Sequence, residues 1–111
     1  MFYTYYQTNS GGFFEHNEDV TNFVIVEAND EEAANKFAES IGIYFDGCDR
    51  RIDCTCCGDR WERQLQFDGE DEPLIYGENV ATWNSWFKQP GQPYAYLYSK
   101  DGTKQTFQEG E

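Results

Sequence analysis

Four cysteines fall within ten residues near the middle of the chain, and their thiolates are the side chains here best suited to metal binding or nucleophilic chemistry. They follow the pattern C-x5-C-x-C-C and are Cys48, Cys54, Cys56 and Cys57. Four thiolates can complete a tetrahedral zinc site, and the bound metal would order a loop with little regular structure of its own. The cluster therefore predicts a structural zinc site.

The spacing leaves alternatives open. Zinc knuckles usually pair ligands two to four residues apart, whereas the adjacent Cys56 and Cys57 point in different directions unless the backbone turns sharply. His16 would then replace one of them. Alternatively, one or two of the cysteines are buried small hydrophobic residues and the rest have no ligand role. A disulfide is the least favoured reading, because cysteines in a reducing cytosol stay unpaired.

A catalytic thiol is the enzymatic alternative, since neighbouring arginines would lower a cysteine pKa and His16 would serve as the base. His16 precedes the cysteines by about thirty residues and lies in the polar stretch EHNED, which is typical of a solvated loop. Gly11 and Gly12 lack the following helix and the lysine of a phosphate-binding loop. We therefore do not expect an enzyme.

Arginines accompany the cysteines and offer a different chemistry. Guanidinium groups and an indole beside them could bind a nucleotide-like signalling ligand through bidentate contacts and stacking. The alternative is a set of local Asp–Arg pairs that hold an irregular loop together. The residues concerned are Arg50, Arg51, Arg60, Trp61 and Arg63.

The charge of the chain narrows the class of partner. Twenty-one acidic against eight basic residues give a formal net charge of −13, which repels phosphate backbones and anionic membranes and attracts basic surfaces. We therefore expect no direct nucleic-acid binding and no membrane binding. A partner protein with a basic surface would meet acidic stretches such as Glu70, Asp71 and Glu72, or the tail Glu109 to Glu111.

Length and composition bound the fold. The 111 residues predict one domain, residues 1–111, with a core rich in aromatic rings, since the chain has three Trp, eight Tyr and nine Phe. The N-terminal run after Met1 is not that of a secretion signal, and no segment approaches the ~18 apolar residues of a membrane span. These features lead us to expect a cytosolic protein.

Strands are predicted at both ends of the chain. Phe2 to Thr8 is rich in aromatic residues and is expected to form a hairpin with Phe13 and Phe14. Thr21 to Ala28 contains the apolar run FVIV, which is typical of a central strand. Pro93 to Ser99 alternates Tyr94, Tyr96 and Tyr98 with Ala95 and Leu97, and the Asp101-Gly102 turn predicts a return strand over Thr103 to Phe107.

One helix is predicted over Asp30 to Ile41, with an apolar stripe formed by Ala34, Phe37, Ala38 and Ile41. Asn29 and Glu32 are spaced as a capping box, and Gly42 is placed to end the helix. The segments that follow are less regular. Ile43 to Phe45 leads into the cysteine segment. Trp61 to Phe67 is either a short strand or an irregular extension, with Trp61, Leu65 and Phe67 as candidates for burial. Asp68 to Pro73 is an acidic loop, and Leu74 to Phe87 is ambiguous between loop and short helix.

These elements predict an α+β fold, with an antiparallel sheet of about four or five strands, one packed amphipathic helix and a cysteine-rich loop insertion. The combination of FYTYYQTNSGG, VIVEANDEEAANKFAESIGIYFDGC and DCTCCGDRW resembles a family of small uncharacterised proteins of tailed bacteriophages, marked by a YFDGC...DCTCCGDRW motif. The resemblance implies a phage accessory protein in the host cytoplasm that acts on host takeover or on a host defence system. It implies no catalytic residues.

Overall fold

The computed structural model describes residues 1–8, 10–12, 14–53, 55, 58–83 and 92–108. A 3-10 turn, Ser10–Gly12, follows the first strand. The regular elements, in chain order, are strand β1 (Phe2–Tyr6), strand β2 (Phe23–Glu27), helix α1 (Glu31–Ser40), strands β3 (Leu74–Ile75) and β4 (Glu78–Asn79), strand β5 (Pro93–Tyr98) and strand β6 (Lys104–Gln108).

The main sheet has four strands in the order β1-β2-β5-β6. Strand β2 is central, as its apolar run predicts, and the C-terminal hairpin joins the same sheet beside it. The α+β class is confirmed. The sheet is mixed rather than antiparallel throughout, because β2 and β5 run parallel while β1 pairs antiparallel with β2. Parallel pairing requires a long connection, and the segment between β2 and β5, which carries α1 and the cysteines, supplies it.

The partner of β1 differs from the prediction. Strand β1 pairs over its whole length with β2, from Phe2 opposite Glu27 to Tyr6 opposite Phe23. Phe14 is not in a strand, and Phe13 lies outside the described residues. The expected hairpin with this pair of phenylalanines is therefore wrong. Strand β2, with side chains buried on both faces of the sheet, offers β1 a full ladder of five residue pairs.

Strand β2 divides the core into two clusters, one on each face of the sheet, because successive side chains of a strand point in opposite directions. Val24 and Val26 face α1 and the flanks of the cysteine segment, where Ile43, Phe45 and Trp61 are buried. The opposite face contains Phe23, Ile25, Ile75, Val80, Trp83, Tyr94, Ala95 and Leu97. Burial on both faces explains why the strand has no polar alternation.

The tyrosines of β5 do not share one face. A β-bulge between Pro93 and Ala95 shifts the register, so Tyr94 belongs to the cluster of Ala95 and Leu97. Tyr96 and Tyr98 instead donate hydrogen bonds to the 17–19 loop, to the carbonyls of Asn17 and Asp19 at 2.7 and 2.6 Å. A bulge reverses which side chains face the core beyond it, and the alternation in the sequence does not reveal one.

Helix α1 is capped by Asp30 rather than by the predicted Asn29. The Asp30 carboxylate accepts a hydrogen bond from the Ala33 N–H at 2.8 Å, so the expected capping box is not formed. Gly42 ends the helix as predicted. Its φ is +103°, and the N–H of Ile43 bonds to the Ala38 carbonyl in the pattern of a glycine-terminated helix.

The buried face of α1 differs from the predicted stripe in one position. Ala34 and Ala38 are fully buried and Ile41 packs against the same cluster. Phe37 is 38 % exposed and lies with its ring 5.1 Å from that of Tyr98, at the rim of the core. Asn35 is buried in its place. The helix therefore approaches the sheet through small side chains and one amide.

The segment after the acidic loop is neither a helix nor a plain loop. Strands β3 and β4 form a small antiparallel hairpin. Ile75 of β3 and Val80, which follows β4, belong to the second core cluster. The remainder of this predicted segment, residues 84–87, lies outside the described residues. Across the described ranges, no helix has the length and apolar character that crossing a bilayer requires.

Candidate functional site

The described part of the cysteine segment is held by hydrogen bonds within its own backbone and by one from its backbone to a carboxylate. The N–H groups of Ile52 and Asp53 both donate to the Gly47 carbonyl, at 2.8 and 3.1 Å. The N–H of Cys48 donates to the Asp59 carboxylate at 2.8 Å. Asp46 and Arg51 adopt positive φ values of 59° and 61°, which lets the backbone turn twice. Local polar contacts thus order this part of the loop.

The zinc prediction rests on residues that fall mainly outside the described part of the chain. Cys48 is described and partly buried, whereas Cys54, Cys56 and Cys57 lie outside the described residues. Within the described residues, no three His, Cys, Asp or Glu side chains come together as a metal site. A zinc site therefore needs the three other thiolates, and it stays a prediction.

Arg60 is the centre of the polar network beneath the cysteine segment. It is 4 % exposed. Its Nη1 donates to Gln7 Oε1 at 3.1 Å and its Nη2 to the Ser10 carbonyl at 2.7 Å. Its Nε lies 3.0 Å from Glu15 Oε1 and 3.2 Å from the Tyr44 hydroxyl. Because protein acceptors surround the guanidinium, Arg60 is a structural residue in this arrangement.

Asp53 completes the network from the other side. Its Oδ2 accepts the Arg60 backbone N–H at 2.7 Å, and its Oδ1 accepts the Tyr44 hydroxyl at 2.6 Å. Burial, reinforced by the hydrogen bond to Asp53, raises the pKa of Tyr44 to about 12. The Arg60 carbonyl accepts the Thr8 N–H at 2.8 Å, which ties the end of this segment to the chain after β1.

The remaining candidate arginines have separate surroundings. Arg50 and Arg51 are exposed. Arg63 is half-exposed, with Nη1 3.6 Å from Asp46 Oδ2 and its guanidinium carbon 5.0 Å from the centre of the Phe45 ring. Trp61 is 1 % exposed and belongs to the first core cluster. These contacts match the Asp–Arg pairing alternative better than a pocket that presents both Arg60 and Trp61 to a ligand.

His16 lies on the surface, in the loop between β1 and β2. Its Nδ1 is 2.9 Å from Thr21 Oγ1, and partial burial lowers the pKa of its imidazole. Thr21 in turn donates to the Pro93 carbonyl at 2.6 Å. The histidine thus stands in a chain of hydrogen bonds that joins its loop to the start of β5.

The predicted acidic partner-binding residues are solvent-exposed. Glu70, Asp71 and Glu72 occupy the loop after the cysteine segment, and Glu62 and Asp68 are exposed beside them. The residues from 62 to 72 include five acids and one base, Arg63. None of the five carboxylates forms an ion pair with a cation of the described residues. The arginine within the segment, Arg63, pairs instead with Asp46. This acidic segment, residues 62–72, therefore has a formal net charge of −4, and its acids are exposed.

Two apolar side chains in the acidic segment were predicted to be buried and are not. Phe67 is 89 % exposed and Leu65 is 66 % exposed. The alternation WERQLQF suggested a half-buried strand, but the chain leaves the core after Trp61 and turns at Leu65–Asp68. The flanking glutamines and the acids that follow are the signals in the sequence that favour an exposed turn.

A groove on the opposite face of the sheet was not predicted. It has a volume of about 330 Å³, within the size range of small-molecule sites. Trp83 and Tyr94 form buried parts of its wall, while Phe14 and Tyr76 are exposed at its edge. Its polar lining residues are Gln7, His16, Asn22 and Gln92.

The comparisons with known proteins give a family and no function. No curated protein and no solved structure matches the chain. A family described as "Domain of unknown function (DUF7296)" matches residues 1–111, which is the whole of the sequence. The chain therefore belongs to the DUF7296 family.

Proposed function

We propose that this protein is a non-enzymatic interaction protein that binds a basic surface of a partner protein through its acidic segment, residues 62–72. The observation that supports the proposal most directly is the exposure of Glu62, Asp68 and Glu70 to Glu72 with no cation of the described residues paired to them. Exposed charge of one sign increases the rate of encounter with a surface of opposite sign.

The partner that this chemistry favours is a protein whose basic surface normally holds nucleic acid. Closely spaced carboxylates on a small domain of net charge −13 can occupy such a surface in place of phosphates. The resemblance to small bacteriophage proteins makes a bacterial host protein the expected partner, in the host cytoplasm. Inhibition or redirection of that protein, in host takeover or in evasion of host defence, is then the expected outcome.

An interaction role fits the surroundings of the groups that an enzyme would use. The guanidinium of Arg60 is surrounded by protein acceptors, and the Nδ1 of His16 lies at hydrogen-bond distance from Thr21. The Arg60 guanidinium thus meets protein acceptors, whereas the His16 ring also lines the aromatic groove. We propose a binding role for the protein and assign it no reaction.

The proposal is tested with a charge-neutralised variant and a matched control. Immobilised protein first captures its partner from bacterial lysate, and the purified partner is then used for kinetics. Glu70→Gln, Asp71→Asn and Glu72→Gln together should slow association and weaken its dependence on salt, because they remove exposed charge. The control combines Glu18→Gln, Glu32→Gln and Glu39→Gln, which change the net charge equally. Equal association rates for the two triple variants would contradict the proposal.

A second candidate function is sequestration of a small molecule, and the aromatic groove favours it. None of the described arginines lines this groove, so the ligand it suits is a planar molecule without a phosphate. The amides of Asn22 and Gln92 could bond to the edge of such a ring. A nucleoside should then raise the melting temperature while the matching nucleotide does not, and Tyr76→Ala should remove the effect. No shift with any nucleoside would argue against this candidate.

A further inference from the structure

The turn Leu65 to Asp68 presents two large apolar side chains to solvent. Phe67 and Leu65 are among the most exposed hydrophobic residues of the described chain, and they stand two positions apart in one turn. Single exposed hydrophobic residues are common on protein surfaces and need no explanation. A pair of exposed apolar side chains in a charged segment can instead form the centre of a binding site, in which apolar anchors lie inside a polar rim.

The turn is held in shape by its own hydrogen bonds. The N–H of Leu65 donates to Asp68 Oδ2 at 2.5 Å, and the N–H of Asp68 donates to the Leu65 carbonyl at 3.0 Å. Because these bonds fix the backbone of the turn, little backbone freedom is lost when the turn binds, which increases the affinity that burial of its side chains can supply.

Both ends of the turn are anchored to the sheet. Before it, the Gln64 side chain donates to the Thr4 carbonyl at 2.7 Å. After it, Glu70 exchanges two backbone hydrogen bonds with Phe2, at 2.7 and 2.9 Å. Gly69 lies against the Tyr3 ring, where a Cβ atom would come within 2.9 Å of it. The exposed turn is therefore a fixed projection of the protein surface.

The charges near the turn indicate what kind of partner surface could bind it. Five exposed acids, Glu62, Asp68 and Glu70 to Glu72, lie within five residues of the apolar pair along the chain, against one base, Arg63. A matching surface therefore carries an apolar pocket bordered by Lys or Arg. A second copy of the chain presents the same acids and the same net charge of −13, and anionic lipid and nucleic acid also repel it. A basic protein with an apolar pocket is the partner that matches both the exposed apolar pair and the nearby acids.

We infer that Phe67, supported by Leu65, is the apolar anchor by which the acidic segment docks into a hydrophobic pocket rimmed by basic residues on the partner protein. This inference rests on the proposed function and extends it. The acids bring the surfaces together, and the aromatic ring keeps them together by excluding water from the pocket. The acids should affect mainly the association rate constant and the Phe67 ring mainly the dissociation rate constant, so the two contributions can be measured separately.

The test begins with the photoreactive substitution Phe67→p-benzoylphenylalanine in bacterial cells that express the protein. The cross-linked peptide should combine apolar residues with Lys or Arg. The same substitution at Ile52, which is exposed in the cysteine segment, is the control and should not cross-link to that peptide. Cross-linking to lipid or to a second copy of the chain, or no protein cross-link at position 67, overturns the inference.

Binding to the protein identified by this cross-link is then measured with Phe67→Ser. Dissociation should become about 30-fold faster, as for an interface hot spot, while association changes little. Ile52→Ser is the control, and both variants should unfold at the wild-type denaturant midpoint because both side chains are exposed. If neutralising the acids slows association but Phe67→Ser has no effect, the inference fails and the proposed function stands. If only Phe67→Ser has an effect, the proposed acidic recognition fails.

Discussion

Two hydrogen bonds join Asn35 to Gln64, which lies 29 positions later in the chain. Asn35 Nδ2 donates to the Gln64 carbonyl at 3.0 Å, and the Gln64 N–H donates to Asn35 Oδ1 at 2.9 Å. The same Oδ1 accepts the Tyr5 hydroxyl at 2.7 Å. One buried amide therefore joins α1, β1 and the residue that precedes the exposed turn.

Asn35→Ala should lower the free energy of unfolding by about 2–4 kcal/mol, because it leaves the buried Tyr5 hydroxyl and the Gln64 N–H without their partner. Urea denaturation measures the loss. Lys36→Ala, at the adjacent exposed position, is the control and should change stability by less than about 0.5 kcal/mol. A double mutant with Tyr5→Phe should lose less than the sum of the single losses, because both changes remove one shared hydrogen bond. Additive losses would mean that the two side chains act independently.

Arg60→Met should destabilise the fold by about 3–5 kcal/mol, because it removes the cation of a buried network and leaves the buried Asp53 carboxylate without its neighbouring guanidinium. Arg63→Met is the matched control. Its ion pair with Asp46 joins two side chains that are each about half exposed, and such pairs contribute about 0–1 kcal/mol. Chemical denaturation of both variants gives the comparison. Equal losses would show that burial does not distinguish the two arginines.

Stability should fall at alkaline pH. Burial raises the pKa of Tyr98 to about 12 and, with the hydrogen bond to Asp53, that of Tyr44 to about 12, against an ordinary value of 10.0. The folded protein thus holds these protons more tightly than the unfolded chain. Their contribution is complete below pH 10 and is lost as the pH rises towards 12. Denaturant midpoints measured between pH 8 and pH 11 should decrease, and Tyr98→Phe should make the decrease smaller. A constant midpoint would contradict this assignment.

Zinc is predicted to bind through Cys48, Cys54, Cys56 and Cys57. Protein prepared under reducing conditions should contain one zinc ion per chain, as measured by elemental analysis. Chelation should make the thiols reactive and permit protease cleavage near Arg50 or Arg51, while the circular dichroism of the sheet and helix stays unchanged, because those elements have cores of their own. Cys48→Ser should reduce the zinc content. Metal-free protein with unreactive thiols would favour packed cysteines instead.

The elements that the sequence predicts correctly are those whose signals are local. The apolar run of β2, the periodicity of α1 with Gly42 after it, and the Asp101-Gly102 turn each lie within a few residues. The pairing of β1 with β2 and the parallel alignment of β2 with β5 depend on segments far apart in the chain. No local pattern encodes them.

In the candidate site, too, the features that depend on contacts between distant segments could not be predicted from the sequence. The sequence indicates that Arg60 lies among acids, but its burial depends on Gln7 and Ser10, which come about fifty residues earlier. Phe67 was predicted to be buried from its alternation with glutamines. Its exposure follows from anchors on either side of the turn, at Gln64 and Gly69, and those anchors contact β1. Such contacts become visible only when the chain is folded.

Because β2 is central in the sheet, one of its edges is exposed while the ribosome is still synthesising the rest of the chain. One edge of β2 is covered by β1, which is translated before it, but the other is covered by β5, which emerges about seventy residues later. In the interval the run FVIV presents an open strand edge with no proline and no charge, which is the kind of segment that pairs with other nascent chains. A chain whose synthesis stops before Pro93 should therefore be more prone to aggregate, because the edge of β2 that β5 covers stays open.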